Sequence, residues 1–299
     1  MKARLLVIVG PTASGKTKLA IELATHFRTE ILSADSRQVY KELNIGTAKP
    51  DKAERQGIPH HFIDHVSIHD SYNAGIYGRE ANEVLENLFK NNPVAVMAGG
   101  TGLFVKAALD GLDDLPQADE ELRQQLQKQL ESKGIIVLAD QLKILDPVYA
   151  ASADLSNPQR LIRALEVCLI SGKPFSSFAQ NKKAERPYDI VYIGLDLPRP
   201  LLYQRINERV DKMMEQGFLD EAKTLLSYKD INALQTVGYK ELFAHLEGKY
   251  SLEKAIDLIK QHTRNYAKRQ MTWFRKIEGV HRFEEADLGK VLGLLRGAV

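Results

Sequence analysis

The chain has 299 residues, of which 44% are hydrophobic and 27% are charged, so it can bury a sizeable core. This composition excludes an intrinsically disordered chain, and the length favours a main domain with an insertion or a second lobe. The 41 basic and 39 acidic residues leave a net charge of +2, so a nucleic-acid-binding surface must be a local patch.

The apolar segments and the single cysteine indicate the compartment. No run of about 18 apolar residues occurs, and the N-terminal apolar run ends at Gly10, so we expect neither a membrane span nor a secretory signal. Cys168 alone cannot form an intramolecular disulfide, which fits a reducing environment. We therefore expect a cytoplasmic protein in which Cys168 packs in the core.

The N-terminal third predicts strands that alternate with helices. Continuous apolar runs at residues 5–9 and 94–98 predict buried strands, and residues 30–34 predict a short strand between them. Apolar residues at helical spacing predict helices at 18–27 and 76–90. This alternation is typical of an α/β fold, in which helices cover a parallel sheet.

A helical insertion interrupts the pattern. From about residue 110 the sequence becomes charged and rich in glutamine, and residues 157–170 predict an amphipathic helix. We predict an all-helical insertion over residues 112–188, with residues 182–187 as the linker that returns to the sheet.

The sheet resumes after the insertion. Strand character returns at residues 190–197, and after Pro200 the chain is predicted to be mostly helical. Residues 1–111 and 189–299 would therefore form one α/β core that carries C-terminal helices.

A phosphate-binding motif follows the first predicted strand. The motif G-x-x-x-x-G-K-[ST] is matched by Gly10, Pro11, Thr12, Ala13, Ser14, Gly15, Lys16 and Thr17. The glycines allow backbone N–H groups to turn inward, and the helix N-terminus that follows adds a favourable dipole. Lys16 would reach phosphate oxygens, and the Thr17 hydroxyl would bind Mg²⁺. The motif predicts a phosphorylated ligand without identifying it.

Polar residues follow the next two predicted strands. Asp35 and Thr101 stand at the carboxyl ends of these strands, where ligands of open parallel sheets bind. From its position Asp35 is a candidate Mg²⁺ ligand, general base or N-cap. Thr101 lies in Gly-Gly-Thr-Gly, which suits either close backbone approach to a ligand or a simple turn. A motor or switch NTPase would usually offer an acidic metal ligand after such a strand, so the pattern favours group transfer from a phosphorylated donor.

Six segments, in their order along the chain, resemble a known enzyme family. They are GPTASGKT (10–17), DSRQVYKELNIGTAKP (35–50), GGTGLFVKAAL (99–109), NPQRLIRALEV (157–167), QTVGYKEL (235–242) and TRNYAKRQMTWFR (263–275). Together they resemble the tRNA dimethylallyltransferases, also called tRNA isopentenyltransferases, over nearly the whole chain. The first segment is weak evidence for this family, whereas the second combined with the last is highly specific.

The resemblance implies a fold and a reaction. The fold is a P-loop NTPase/kinase-like parallel sheet flanked by helices, with an inserted helical domain. The reaction transfers a dimethylallyl group from dimethylallyl diphosphate to N6 of the adenosine 3′ of the anticodon in tRNA, with Mg²⁺. The loop at residues 10–17 would then bind a diphosphate leaving group, so its nucleotide-binding pattern does not indicate use of ATP.

The resemblance also implies catalytic roles. Asp35 would take the proton from N6, and Thr101 would lie near the C–O bond that breaks. Lys16, the loop amides and an arginine would stabilise the leaving diphosphate. Arg205 and Arg209 are the candidates for this arginine, and Arg209 is favoured.

A further set of residues is implied in tRNA binding. Gln38 lies in the segment that would hold the adenosine by its edge after it swings out of the anticodon loop. The insertion would contact the anticodon stem-loop. The implied set is Asp35, Ser36, Arg37, Gln38, Thr101, Arg123, Gln159, Arg160, Arg163, Gly238, Tyr239, Lys240, Arg264, Lys268, Arg269 and Arg275.

The segment 262–276 is basic and contains no acidic residue. On a helix, Arg264, Lys268 and Arg275 share one face, while the aromatic residues occupy another. By itself this pattern suits either a solvated helix that packs its aromatic side chains on the core or a surface that follows RNA phosphates. The resemblance favours the RNA-binding interpretation.

Histidines cluster between residues 60 and 69 in the manner of a metal site, but Pro59 would break a helix that aligned them. We expect a structural or substrate-loop role for them.

Three functions stay open: tRNA prenylation, phosphorylation of a small molecule by ATP, and RNA binding by a non-catalytic module with a vestigial loop. The basic segment argues against the kinase, and the intact Lys16, Thr17 and Asp35 argue against the non-catalytic module. We expect a monomer without membrane association.

Overall fold

The structure is a computed structural model that describes residues 2–178 and 184–297. It divides the chain into two compact units, one comprising Met1–Leu109 and Glu185–Val299 and the other comprising Asp110–Ala184. The second unit occupies the place of the insertion predicted at residues 112–188. Residues 182 and 183 of the predicted linker lie outside the described residues.

Six parallel strands form the sheet of the first unit. They are β1 (Arg4–Val9), β2 (Ile31–Ser33), β3 (His60–His61), β4 (Val94–Gly99), β5 (Asp189–Leu195) and β6 (His281–Phe283). The order across the sheet is β3-β2-β4-β1-β5-β6, and every neighbouring pair is parallel. The predicted α/β class is therefore confirmed. Because β1 lies between β4 and β5, the loop that follows it opens at the middle of the carboxyl edge of the sheet.

The two edge strands, β3 and β6, are not predicted from the sequence. They have two and three residues, and they carry polar or partly exposed side chains. Apolar runs identify strands that are buried on both faces, and short edge strands do not have such runs.

Twelve α-helices occur in the described residues. They are α1 (Lys16–Phe27), α2 (Ala74–Asn91), α3 (Gly102–Leu109), α4 (Glu120–Lys133), α5 (Ile135–Leu145), α6 (Pro147–Ser152), α7 (Pro158–Ser171), α8 (Arg199–Glu215), α9 (Phe218–Leu225), α10 (Tyr239–Leu246), α11 (Leu252–Phe274) and α12 (Leu288–Gly297). Short 3-10 helices lie at Ile45–Thr47, Phe175–Ser177, Leu226–Tyr228 and Asn232–Leu234. None of the described helices is both long and apolar enough to cross a membrane.

Alternate side chains of β1 enter two different apolar layers. Leu5 and Val7 pack with residues of α2 and α3, and Leu6 and Ile8 pack with residues of α1 and α8. All four are completely buried. Each such side chain contributes roughly 1.5–3 kcal/mol through burial, so the strand that precedes the phosphate-binding loop is held firmly from both sides.

A third apolar cluster lies among the C-terminal helices. Phe218, Tyr239 and Ile259 pack there against Val39 and Leu43, which follow β2. The segment after Asp35 is therefore fixed by helices that come more than a hundred residues later in the chain.

The second unit has its own small core of helices α4 to α7. Leu138, Leu142 and Leu165 are completely buried in it, and Cys168 is 4% exposed, as the sequence predicts. The carboxylate of Glu166 is also buried in this unit, where it accepts a hydrogen bond from the Asp119 amide.

Candidate active site

The loop between β1 and α1 has the backbone geometry of an anion-binding cradle. Ala13 and Gly15 adopt left-handed conformations, with φ of 62° and 95°, and α1 begins at Lys16. Such turns direct successive N–H groups into one concavity at the N-terminus of a helix. Ser14 is completely buried, and its hydroxyl has no hydrogen-bond partner within residues 2–178 and 184–297. A buried polar atom without a partner indicates that a ligand completes this loop.

Two cations and one carboxylate surround the loop. The Lys16 ammonium donates to the Pro11 carbonyl at 2.6 Å, and Arg209 of α8 donates to the Thr12 hydroxyl oxygen at 3.3 Å. Burial and the nearby Arg209 lower the pKa of Lys16 to about 7, and the opposing effect of Asp35 is smaller. Two cations against one carboxylate at this loop suit an anion with several negative charges.

The structure also separates the two candidate arginines of α8. Arg209 is half-buried and contacts the loop, whereas Arg205, one turn earlier, is exposed. The arginine favoured by the sequence is therefore the one that lies beside the phosphate-binding loop.

Asp35 caps the turn that follows β2. Its Oδ1 accepts hydrogen bonds from the amides of Arg37 at 2.9 Å and Gln38 at 3.2 Å, so the capping alternative considered from the sequence is realised. Its Oδ2 accepts no hydrogen bond from the part of the chain that the structure describes. One oxygen of Asp35 is thus structural, and the other is available for chemistry.

Thr101 joins the ends of β2 and β4. Its Oγ1 accepts from the Ser36 amide at 3.0 Å and donates to the Ser36 hydroxyl at 3.2 Å. Its own amide donates to the Ala34 carbonyl at 3.1 Å. These bonds place Thr101 next to Asp35, at the same edge of the sheet as Lys16.

One stripe of α11 lies along the glycine-rich turn 99–102, a contact that is not predicted from the sequence. Burial and the Asp35 charge raise the pKa of the Tyr266 hydroxyl to about 12, and the nearby Thr101 side chain opposes this shift to a smaller extent. Gln270 bonds Gly100, and the Trp273 indole packs so close to Gly102 that a Cβ there would overlap the indole ring. The signal in the sequence is a polar residue, Gln270, within an aromatic stripe spaced i, i+4, i+7.

Gln38 is oriented by a loop that Glu221 holds in place. Gln38 Nε2 donates to the carbonyls of Thr47 and Ala48, at 3.1 and 3.2 Å. The Glu221 carboxylate of α9 accepts hydrogen bonds from the Ile45 and Gly46 amides, each at 2.9 Å. The side-chain oxygen of Gln38 accepts no hydrogen bond from the described residues.

Two residues implied in tRNA binding have buried positions. Tyr239 is completely buried and donates its hydroxyl to Glu221 at 2.6 Å. Gly238 is buried beside it, because a Cβ there would lie 2.8 Å from the Phe218 ring. Both residues help to hold the 44–48 loop in place, whereas their neighbour Lys240 is exposed.

The basic residues of α11 and its surroundings divide into two groups. Lys268 and Arg275 are exposed and form no ion pair within the described residues, and exposed Arg269 lies 5.7 Å from the Tyr266 ring centre. Arg264, by contrast, donates to the Asn207 side chain of α8 at 2.7 Å. Arg37 is similarly engaged, since it donates to the carbonyls of Asn232 and Ala233.

The basic residues of the second unit divide in the same way. Arg123 and Arg163 bind the buried Glu166 carboxylate at 2.9 and 2.6 Å, so both guanidinium groups have a structural partner. Gln159 and Arg160 are exposed at the start of α7. Their contacts with tRNA remain predictions.

The histidines between residues 60 and 69 have structural partners. His60 and His61 form β3, His61 bonds Glu30 at 2.6 Å, and His65 bonds Glu80 at 3.0 Å. Among the described residues, no group of three or more His, Cys, Asp or Glu side chains could hold a metal ion.

The sheet and the loop define a P-loop protein whose site offers cations and one carboxylate to a phosphorylated substrate. Comparison with known proteins identifies the family. The family model for IPP transferase matches residues 38–277. A tRNA dimethylallyltransferase of Christiangramia forsetii is 52% identical over 95% of this chain and 94% of that protein, and one of Cytophaga hutchinsonii is 49% identical over 96% and 94%.

Solved structures agree with this assignment. The tRNA isopentenylpyrophosphate transferase of Bacillus halodurans is 38% identical, with a TM-score of 0.71 over 99% of this chain and 95% of that one. A eukaryotic dimethylallyltransferase acting on tRNA is 31% identical, with a TM-score of 0.79 over 96% of this chain and 75% of that one. The chain belongs to the IPP transferase family, the family of the tRNA dimethylallyltransferases, and the resemblance seen in the sequence is confirmed.

Proposed function

We propose that this protein transfers a dimethylallyl group from dimethylallyl diphosphate to N6 of the adenosine 3′ of the anticodon in tRNA, with release of diphosphate. The observation that carries the proposal is the position of Asp35. It has one unengaged carboxylate oxygen beside a cationic phosphate-binding loop, in a chain that aligns with tRNA dimethylallyltransferases over 95% of its length.

The reaction requires removal of a proton from a weak nucleophile. N6 of adenosine attacks the allylic carbon that bears the diphosphate, so an N–C bond forms and a C–O bond breaks. The N6 proton passes to Asp35 Oδ2, which no described residue engages. General-base catalysis of this kind contributes roughly 10²–10⁴-fold to the rate.

Negative charge grows on the leaving diphosphate as the C–O bond breaks. Lys16 and Arg209 lie against the loop and supply two positive charges in a desolvated site. Fixed charges and amides of this kind act most strongly where charge develops in the transition state. Thr101, at the adjoining strand end, would hydrogen-bond near the breaking bond.

Mg²⁺ is the cofactor that we propose for this site. The Thr17 hydroxyl in the first turn of α1 is an oxygen donor, which suits this ion. A sparse set of protein ligands also fits, because Mg²⁺ usually keeps several waters and binds substrate phosphates. When bound, Mg²⁺ would supply additional positive charge to the diphosphate.

The anticodon stem-loop of tRNA is the proposed partner of the exposed cations. Lys268, Arg269 and Arg275 would contact its phosphates, together with Lys240 and Arg160. The target adenosine leaves the stacked loop, at a cost of a few kcal/mol, and enters the pocket beside Asp35. Gln38 would hold the edge of this base through its free side-chain oxygen.

The small-molecule kinase left open by the sequence is not supported, because the relatives that match this chain are named tRNA dimethylallyltransferases. The exposed cations of α11, which form no ion pair within the described residues, also argue against a kinase, since a small acceptor would not contact them.

We further propose that the protein works as a monomer in the cytoplasm, which is consistent with a tRNA substrate and one unpaired cysteine.

One parallel assay separates the two functions. The protein is incubated with unmodified tRNA, Mg²⁺ and radiolabelled dimethylallyl diphosphate, and separately with labelled ATP and hydroxyl acceptors. We expect label in tRNA in the first reaction and no phosphorylated product in the second. Phosphoryl transfer without tRNA labelling would establish the kinase instead.

A further inference from the structure

The site contains a buried side chain that the proposed chemistry does not use directly. Gln270 of α11 is 6% exposed, and both ends of its carboxamide are hydrogen-bonded. Its Oε1 accepts from the Thr12 amide at 2.8 Å, and its Nε2 donates to the Gly100 carbonyl at 2.9 Å. A single side chain therefore joins the phosphate-binding loop to the glycine-rich turn 99–102.

The neighbouring residues are matched to a glutamine at this position. A Cβ on Gly100 would overlap Gln270 Nε2, so any side chain there would displace the carboxamide. Glutamate lacks the donor, lysine lacks the acceptor, and methionine lacks both, so none of them forms the two bonds. The bridge thus depends on glycine at one end and glutamine at the other.

The two ends of the bridge meet different parts of the proposed chemistry. Thr12 also accepts a hydrogen bond from Arg209, which lies beside Lys16. Gly100 directly precedes Thr101, which would lie near the breaking C–O bond in the proposed function. The Gln270 bridge therefore adds a side-chain connection between the loop that would hold the diphosphate and the turn that carries Thr101, beyond the pairing of β1 with β4.

We propose that Gln270 is a positioning residue for prenyl transfer, which holds the phosphate-binding loop and the 99–102 turn in register. This inference rests on the proposed function. Displacement of reacting groups by about 1 Å costs on the order of 10²-fold in rate. Because the Thr12 amide is turned toward Gln270, this amide supports the loop rather than binding phosphate, in contrast to the expectation from the motif.

The test replaces Gln270 by methionine, which has a similar length and forms neither bond. Gln261→Met is the matched control, because Gln261 is exposed on the same helix. Single-turnover transfer is measured at saturating dimethylallyl diphosphate and tRNA, together with the Kd values for inorganic pyrophosphate and for tRNA. We expect Gln270→Met to slow transfer by roughly tenfold or more and to weaken pyrophosphate binding, with the tRNA Kd within about twofold of wild type. Gln261→Met should match wild type throughout.

Gly100→Ala tests the other end of the bridge. It should slow transfer as Gln270→Met does, and the double variant should be no slower than the worse single variant, since both changes break one connection. If Gln270→Met does not fold, Gly100→Ala alone carries the rate and affinity measurements.

The outcomes distinguish this inference from the proposed function. An active wild type whose folded Gln270→Met variant keeps the wild-type rate and pyrophosphate Kd, even with a lower Tm, would make Gln270 a purely structural residue. Additive effects of the two substitutions would also overturn the inference. A wild type that transfers no dimethylallyl group to tRNA would instead overturn the proposed function, and the Gln270 inference with it.

Discussion

The two carboxylate oxygens of Asp35 have different roles: one caps the turn after β2, and the other is the proposed base. A conservative substitution can therefore remove the base and keep the cap. Asparagine in its place keeps an oxygen that accepts from the Arg37 and Gln38 amides. Asp35→Asn should therefore fold normally and bind tRNA with wild-type affinity. We expect it to slow single-turnover transfer by roughly 10²-fold or more, since the base is lost.

Asp35→Ala is the companion variant, because it removes the cap as well as the base. It should be as slow as Asp35→Asn and should also have a lower Tm. A wild-type rate for Asp35→Asn would exclude Asp35 as the base. A collapse of pyrophosphate affinity in the presence of Mg²⁺, with little change in rate at saturation, would show a metal ligand instead.

The lowered pKa of Lys16 predicts a pH dependence of donor binding. Burial and Arg209 bring this pKa to about 7 in the free protein, and a bound diphosphate would raise it. The affinity for pyrophosphate should then fall as pH rises above about 7, because the ammonium is progressively lost. Titration calorimetry across pH 6–9 should show more proton uptake on binding in wild type than in Lys16→Met, in which only pyrophosphate and the other groups titrate.

The same shift has a consequence for the ligand-free protein. The pKa of Lys16 is about 7 in the folded state, whereas its ordinary value, which applies to the unfolded chain, is 10.5. Between pH 7 and pH 10.5 the unfolded chain therefore binds more protons than the folded protein. Keeping Lys16 charged in its partly buried site lowers the free energy of unfolding, and this cost is fully present below pH 7. The cost diminishes as pH rises from about 7 to 10.5, so stability rises over this interval. Lys16→Met should raise the Tm at pH 6 while losing stabilisation by pyrophosphate. A lower Tm at pH 6 would contradict this account of the site.

At the scale of elements, α11 presents different faces to different neighbours. Tyr266, Gln270 and Trp273 lie on the 99–102 turn, whereas Lys268 and Arg275 face solvent. Arg264 is unsuited to a test of RNA binding, because its bond to Asn207 ties α11 to α8, the helix that carries Arg209.

The exposed face of α11 can be tested through the salt dependence of tRNA binding. Lys268→Gln with Arg275→Gln should weaken binding of all tRNAs alike and lower the salt slope by about one unit for each phosphate that the protein no longer neutralises. The rate at saturating tRNA should survive, because neither residue lies at the strand ends. Filter binding at several salt concentrations gives both quantities.

The matched control removes two cations from the opposite edge of the sheet. Arg28 ends α1 just before β2, and Lys90 lies in the last turn of α2 just before β4. Arg28→Gln with Lys90→Gln loses the same charge and should leave the salt slope unchanged. Equal slopes for the two double variants would show that the α11 face is merely solvated.

Helix α9 supports the substrate side of the site through one carboxylate. In Glu221→Gln, an NH₂ group would replace one of the oxygens that accept hydrogen bonds from the amides of residues 44–46. An amide donor left without an acceptor lowers the free energy of unfolding by about 1–3 kcal/mol. We expect slower transfer to tRNA with an unchanged pyrophosphate Kd, because Gln38 loses its orienting carbonyls. Asp220→Asn, at an exposed neighbour paired with Lys223, is the control. Wild-type kinetics for Glu221→Gln would remove this support from the mechanism.

The sequence predicted the elements whose signals are local. Apolar runs identified β1 and β4, strand-like composition identified β2 and β5, and the spacing of Gly10 to Thr17 identified the loop. Strand ends placed Asp35 and Thr101 at one edge before their contacts were known. The roles of Gln270 and Glu221 were not predicted, because their hydrogen-bond partners are distant in the sequence. Gln270, for example, bonds Thr12 and Gly100, which lie 258 and 170 positions away. A buried polar residue acquires its role from such partners, which periodicity does not reveal.

At the scale of the whole molecule, the candidate site gathers residues from almost the full length of the first unit. The loop after β1, the turn after β2, the turn after β4, α8 and α11 each contribute one part. The parallel topology explains this convergence, because the carboxyl ends of all these strands open on one edge. No short segment holds the site alone, which is why the family is defined by dispersed motifs rather than by the P-loop.

The central claim is that the P-loop holds the diphosphate of a prenyl donor and that a tRNA adenosine is the acceptor. The most direct measurement is mass spectrometry of nucleosides from unmodified tRNA incubated with the protein, dimethylallyl diphosphate and Mg²⁺, in the absence of any nucleoside triphosphate. The account predicts N6-dimethylallyladenosine, located 3′ of the anticodon by nuclease mapping, and none with Asp35→Asn at early times. Unmodified adenosine at that position after prolonged incubation with the wild-type protein would contradict it.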